Sequence, residues 1–175
     1  MSELGLIQIY TGRGKGKSTA AFGLALRASG WGLHCAVIQF MKEGEWYGEC
    51  RALADFPLID IYSYGIGKFL KKGTSPDERS KELAAEAMAG ARQLLADDNV
   101  DILILDELAN AVYFDLVNEE DVLELMAAKR PDQELVITGR NATEAMIAKA
   151  DLVSEIKEIK HPYNSGVQAR KGIEY

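Results

Sequence analysis

Lys17 and Ser18 follow three glycines at alternating positions, Gly12, Gly14 and Gly16, with Arg13 and Lys15 between them. Residues of these types in this order can hold a polyphosphate. The glycines let successive backbone N–H groups converge on phosphate oxygens, and a helix beginning after Gly16 adds the positive end of its dipole. Lys17 would reach a phosphate as a point charge, and the Ser18 hydroxyl would sit on Mg²⁺. The spacing departs from both common glycine fingerprints. G-x-x-x-x-G-K-[ST] asks for glycine where Thr11 stands, and G-x-G-x-x-G asks for glycine where Lys17 stands. The stretch therefore reads as a P-loop variant, Gly-x-Gly-x-Gly-Lys-Ser. A glycine-rich turn with solvated lysines is the alternative. An apolar strand pattern before the loop and an apolar helical pattern over residues 20–28 favour the phosphate reading.

A second group lies far along the chain. Ile102, Leu103, Ile104 and Leu105 form an apolar run that ends in Asp106 and Glu107. Carboxylates at such a strand tip have the form of a Walker B element and can hold Mg²⁺ directly or through water. Two solvated acids at a strand end are the other reading, and a P-loop earlier in the same chain makes the metal reading specific. Arg140 follows Gly139 at the tip of a further apolar run, placed either to face a ligand or to serve the structure.

The elements that must carry these groups are strands at 4–10, 35–40, 58–62, 100–107, 134–138 and 152–159. Helices are expected from the P-loop to about residue 29, over 76–96 and over 118–129. Leu83, Ala87, Ala91 and Leu94 set the helical spacing of the longest one. Asn141 with Glu144 reads as a capping box for a last helix. Residues 41–49, with Trp46 and Tyr47, read as a loop at the C-terminal end of a strand, where open α/β sheets place ligands. Residues 65–75 hold three glycines with Lys68, Lys71 and Lys72, and composition fits a lid and a solvated connector equally. The tail from His161 to Tyr175 has no clear period. Strands alternating with helices predict a three-layer α/β domain with a mainly parallel sheet, one unit over residues 1–175.

The 175 residues carry a formal net charge of −7, which argues against a general nucleic-acid binder. Arg13, Lys15 and Lys17 are instead a focused positive site suited to a small polyanion. No stretch approaches the roughly 18 apolar residues needed to span a membrane, and the N-terminus shows no basic region followed by an apolar core. Cys35 and Cys50 make neither a disulfide framework nor a metal-ligand set. A reducing cytoplasm is the simplest compartment.

Five segments together resemble the P-loop ATP:corrinoid adenosyltransferases, the cob(I)yrinic acid a,c-diamide or cob(I)alamin adenosyltransferases. They are Tyr10-Thr11-Gly12-Arg13-Gly14-Lys15-Gly16-Lys17-Ser18-Thr19-Ala20-Ala21-Phe22-Gly23, Val37-Ile38-Gln39-Phe40-Met41-Lys42, Leu105-Asp106-Glu107-Leu108, Ile137-Thr138-Gly139-Arg140, and the end from Ala150-Asp151 through Lys160-His161 and Gly166-Val167 to Gly172-Ile173-Glu174-Tyr175. Thr11 belongs to this family's loop. The resemblance implies an α/β fold, a three-layer P-loop NTPase-like (RecA-like) domain with a mainly parallel sheet of about six strands.

It also implies a reaction. The family transfers the 5′-deoxyadenosyl group of ATP to Co(I) of a corrinoid with release of triphosphate, ATP lying in the loop in the reverse of the usual sense. By resemblance, Thr11, Gly12, Arg13, Gly14, Lys15, Gly16, Lys17, Ser18 and Thr19 cradle the triphosphate. Ser18 and Glu107 hold Mg²⁺ with Asp106 nearby, and Arg27 and Arg140 contact the nucleotide. Lys17 and Glu107 are the catalytic candidates. An electron-donating flavoprotein and a homodimer are the implied partners, with no nucleic acid and no membrane. Two departures stand out. Many members have an N-terminal helical extension, whereas this sequence starts almost at the strand. Many also have a Gly-Phe-x-Trp segment, where this chain reads Tyr64-Gly65-Ile66-Gly67-Lys68-Phe69. Phe69 and Trp46 are the candidate corrinoid-facing aromatics, and Trp46 reads equally as a half-buried loop aromatic. The alternatives are another P-loop ATPase or small-molecule kinase, or a non-catalytic ATP- or corrinoid-binding protein.

Overall fold

The computed structural model describes residues 5–67, 73 and 75–175. Strand β1 (Ile7–Thr11) leads into helix α1 (Lys17–Ser29), followed by β2 (Cys35–Phe40), α2 (Gly48–Leu53), β3 (Ile59–Tyr64) and α3 (Glu78–Leu95). The second half runs β4 (Ile102–Asp106), α4 (Leu108–Tyr113), α5 (Glu119–Ala128), β5 (Glu134–Thr138), α6 (Glu144–Lys149) and β6 (Leu152–Glu155). The strands form one six-stranded sheet in the order β3-β2-β4-β5-β1-β6, parallel at every pairing. This is the three-layer P-loop NTPase-like α/β architecture expected from the sequence.

Topology decides which face each helix covers. The crossovers β1→β2 and β2→β3 step toward one edge of the sheet, and the three later ones step toward the other. Right-handed crossovers then put the two sets of helices on opposite faces. The packing agrees. Ala21, Phe22, Ala25 and Ala28 of α1 and Leu53 of α2 pack against Val37, Ile104 and Val136. On the other face Ala84, Ala87, Met88 and Ala91 of α3 join Leu108, Leu125 and Met146 over Ile38, Leu103 and Ile137. Every residue of β2, β4 and β5 is buried, which is why these strands read as unbroken apolar runs. Edge strand β6 is exposed at all its positions.

Local signals set the helix ends. Asp77 caps α3, its side chain accepting from the Ser80 N–H at 2.9 Å. Glu119, Glu120 and Asp121 occupy the first turn of α5, the positive end of its dipole. The capping box expected from Asn141 is corrected: Thr143 is the N-cap of α6 and accepts from the Met146 N–H at 3.2 Å. The Asn141 amide instead donates to Asn110 Oδ1 at 3.2 Å. The sixth strand is shorter than 152–159, ending at Glu155. Beyond it Ile156 donates its N–H to Thr11 O and accepts from Gly14 N–H, so the chain turns onto the glycine loop. The first strand begins at Ile7 among the described residues and runs one residue further, through Thr11. Residues 41–49 are not all loop: a 3-10 turn covers Gly44–Trp46 and α2 starts at Gly48. Lys68, Phe69, Lys71 and Lys72 lie outside the described residues. Among the described residues no helix is long and apolar enough to cross a membrane.

Cys35 shows how tightly the α1 face is closed. Its side chain has no exposed surface, and burial pushes its thiol up to about 12. An exposed thiol titrates at roughly 8.5. The folded state therefore keeps its proton where the unfolded chain has lost it. This contribution to stability is full below that value and falls away as pH rises toward about 12. Denaturant unfolding between these limits is expected to show declining stability, with the Cys35 part of the slope absent from Cys35→Ala. Peptide mapping after iodoacetamide treatment at mildly alkaline pH should find Cys35 alkylated only when the protein is unfolded first.

Candidate active site

The glycine loop is shaped by close backbone approach. A Cβ on Gly12 would lie 2.5 Å from Ile156 O, and one on Gly14 would lie 2.8 Å from Lys157 O. With no side chains there, the loop lies flat on residues 156–157, and the Gly14 N–H donates to Ile156 O at 2.7 Å. Gly16 is different. Its φ of +116° favours glycine, and the space a Cβ would enter is open. Gly16 is also the N-cap of α1 and offers no side chain to the helix. The first-turn amides of α1 thus keep their donors for an anion. Lys17 is 6 % exposed and donates to Gly14 O at 2.6 Å. Burial pulls its ammonium pKa down, and the Glu107 carboxylate opposes that shift.

Asp106 ends β4 on the α1 face with no exposed surface. The Thr138 hydroxyl donates to Oδ1 at 2.7 Å. Lys42 Nζ donates to Oδ2 at 2.6 Å, and the Gln39 amide reaches the same oxygen at 3.4 Å. Burial alone would raise the Asp106 pKa, and the Lys42 ammonium beside it more than reverses this, so it lies below the usual carboxylate range. Gln39 and Asp106 are register partners on adjacent strands, which is why both end on the same face. Lys42 also donates to Ser18 Oγ at 3.2 Å.

Glu107 is at φ +65°, a left-handed conformation at the start of α4 that turns its carboxylate off the strand line. Its N–H donates to Thr138 Oγ1 at 3.0 Å, and the Asn110 amide donates to its Oε2. Burial, then the neighbouring Asp106 charge, raise its pKa. Asn110 serves a second strand tip as well, because its Oδ1 accepts from the Arg140 N–H at 2.9 Å. Gly139 makes that contact reachable: a Cβ there would lie 2.7 Å from the Ala109 Cβ, and φ is +146°. β5 lies between β1 and β4, so the Arg140 turn stands between the phosphate loop and Glu107.

Together these tips open onto one cavity of about 1340 Å³. Arg13, Gly14, Lys15, Gly16, Lys17, Ser18 and Thr19 form its floor, and Lys42, Tyr47, Glu107 and Arg140 form the side toward β2, β4 and β5. The far wall is the tail, including His161, Tyr163 and Ile173–Tyr175. Lys15 ties the tail down, donating to Ile173 O at 2.8 Å and lying 3.8 Å from Glu174 Oε1. Arg170, donating to Glu174 from side chain and backbone, holds that carboxyl at about 2.

Not every expected residue reaches this cavity. Thr11 and Gly12 shape the loop from beneath and do not line it. Asp106 is enclosed by Thr138, Gln39 and Lys42. Arg27 is exposed in the last turn of α1, away from the lining. Trp46 is 65 % exposed and also outside it, and its neighbour Tyr47 takes the wall. Phe69 lies outside the described residues. The sequence reading missed Lys42, Tyr47 and Asn110 as site residues. Lys42 and Tyr47 had a signal, since both follow the C-terminal end of β2. Asn110 had none beyond standing one helical turn from Glu107.

Ser18 and Glu107 offer oxygen donors to the cavity, a set suited to Mg²⁺, which takes few protein ligands beside substrate phosphates and water. No group of three or more His, Cys, Asp and Glu fit to hold a metal exists among the described residues. A cation here would therefore complete its shell with substrate oxygens and water. Asn110, which does not itself line the cavity but orients Glu107 and the Arg140 turn, is a positioning residue. Asn110→Ala is expected to weaken the Mg²⁺ requirement curve of nucleotide binding by about tenfold, the lower range for losing such a supporting contact. Titration of Mg²⁺ at fixed nucleotide checks this.

Comparison with known proteins gives the same picture. Residues 3–175 match the family described as ATP:corrinoid adenosyltransferase BtuR/CobO/CobP. A corrinoid adenosyltransferase of Sinorhizobium sp. is 38 % identical over 175 residues, covering 99 % of this chain and 81 % of that protein. The corrinoid adenosyltransferases of Escherichia coli (strain K12) and Salmonella typhimurium are 36 % and 35 % identical over 173 residues, each match covering 99 % of this chain and 87 % of the relative. With its phosphate loop, Asp106-Glu107 pair and tail all inside the matched region, the chain belongs to the ATP:corrinoid adenosyltransferase family.

Proposed function

We propose that this chain transfers the 5′-deoxyadenosyl group of ATP to Co(I) of a corrinoid and releases triphosphate, as one nucleotide-binding unit over residues 1–175. The observation that carries this reading is the joining of a cationic phosphate floor to a roomy, tail-walled cavity in a member of this family. The volume of about 1340 Å³ exceeds the roughly 300–1,000 Å³ usual for one small ligand. That leaves space for a second, larger substrate beside the nucleotide.

In the proposed reaction the cobalt electron pair forms a bond to the 5′ carbon, and the bond from that carbon to the triphosphate oxygen breaks. The electron pair of the broken bond leaves with the triphosphate. Co(I) is the nucleophile, so no protein base is needed. The chain's task is to align carbon with cobalt and to meet the charge that grows on the leaving group. Lys17, Lys15, Arg13 and the first-turn amides of α1 surround that charge, with Arg140 on the opposite side. Glu107 has one oxygen engaged by Asn110, which suits a metal ligand. When bound, Mg²⁺ held by Ser18 and Glu107 would supply further positive charge to the triphosphate. Tyr47 on one wall and the tail's Tyr163 and Tyr175 on the other give the cavity aromatic surface for a corrinoid ring. The partners in this reading are ATP, a corrinoid, an electron-donating flavoprotein and a second copy of the chain, in the cytoplasm.

Product analysis tests the reaction. With ATP, Mg²⁺ and chemically reduced cobalamin, the expected products are adenosylcobalamin, seen by its absorption spectrum, and inorganic triphosphate. Formation of ADP and no adenosylated cobalamin would overturn the proposal in favour of chemistry at phosphorus. Lys17→Ala is expected to weaken ATP binding by about 100-fold, the order for truncating a buried charged contact, measured by calorimetry. Glu107→Gln should lower Mg²⁺-dependent turnover while leaving the fold intact by circular dichroism.

A further inference from the structure

Lys42 has a role that neither the loop motif nor the paired carboxylates provide for. It stands two residues past β2, yet its side chain lines the cavity beside Ser18 of the phosphate loop. Nζ is 2.6 Å from Asp106 Oδ2, 3.2 Å from Ser18 Oγ and 5.1 Å from the centre of the Tyr47 ring. Its side chain is 12 % exposed, and what is open faces the cavity. An ammonium has three N–H donors. Two are directed at Asp106 and Ser18, and one is left for a ligand.

Asp106 is arranged to serve Lys42. Its oxygens accept from Thr138, Lys42 and Gln39, and it has no surface open to a cation in the cavity. We propose that Lys42 is a built-in cation of the triphosphate site, a substrate-contacting partner of Lys17, and that Asp106 is its counter-ion and does not ligate metal. The inference rests on the triphosphate-binding reading above. It has a consequence for metal use. A fixed ammonium beside Ser18 occupies part of the electrostatic role given to a metal ion, so the triphosphate chain is held partly without Mg²⁺.

Calorimetric titration of ATP and of inorganic triphosphate, each with Mg²⁺ and with EDTA, tests this. Lys42→Met alone leaves Asp106 buried and unpaired, so the decisive variant is Lys42→Met/Asp106→Asn, which removes both charges. Its fold is checked by circular dichroism. The wild-type protein is expected to bind triphosphate in EDTA, and the double variant to bind it at least tenfold more weakly. Asp106→Asn alone keeps the ammonium and removes a negative charge. It should bind triphosphate in EDTA more tightly than the double variant, because the ammonium remains. Equal triphosphate affinity in the double variant and wild type, no wild-type binding in EDTA, or Asp106→Asn binding in EDTA as weakly as the double variant would each overturn the inference. If wild type binds neither compound even with Mg²⁺, the triphosphate reading itself fails, and the Lys42 role fails with it.

Discussion

The Asp106 carboxylate is a full charge with no contact to water, and the site is arranged around satisfying it. A buried ion without partners is costly, so each neighbour has to be in place. Thr138 comes from β5, Gln39 from β2 and Lys42 from just beyond β2, and through Lys42 the contact extends to Ser18 at the start of α1. Two neighbouring strand tips and one helix N-terminus are thereby held in register by one acid. Thr138 extends the set to Glu107, whose N–H it accepts while donating to Asp106. The carboxylate that faces the cavity is thus oriented by the one that does not.

A second constraint is steric. The glycine loop reaches residues 156–157 because Gly12 and Gly14 lack side chains, and the Arg140 turn reaches α4 because Gly139 does. Gly16 answers to backbone conformation alone. Glycines that look like one motif in the sequence therefore do separate jobs. Two let the loop settle on the strand end behind it, and one turns the chain into the helix. Only Gly14 and Gly16 of the three line the cavity.

Much of the fold was legible because burial on both faces makes a strand apolar throughout. β2 and β5 could be read with their observed ends for that reason, and α3 because its buried positions repeat at helical spacing. The phosphate loop and the Asp106-Glu107 pair were legible as motifs. What escaped depends on long-range geometry or short length. α2 and α4 have six residues each, too few to establish a period. Thr143 displaced Asn141 as a cap because Asn141 is drawn to Asn110, a residue thirty-one positions earlier. The Lys42–Asp106 pair follows from the alignment of β2 with β4, which no local pattern encodes. The tail forms a wall of the cavity through a few polar ties, such as Lys15 to Ile173, and not through an apolar stripe.

The placement of β1 bears on how the chain assembles. β1 is first in sequence, yet its neighbours are β5 and β6, with Ile7 opposite Leu135 and Gln8 opposite Leu152. Closing loops of that length precedes any reward from pairing. On a ribosome, where domains form as the chain emerges, the phosphate loop has no sheet to stand on until β5 and β6 have been made. Strands β2, β3 and β4 can pair earlier as a local unit. Nucleotide affinity is then acquired only when β1 finds β5 and β6, well after the phosphate loop itself has been made.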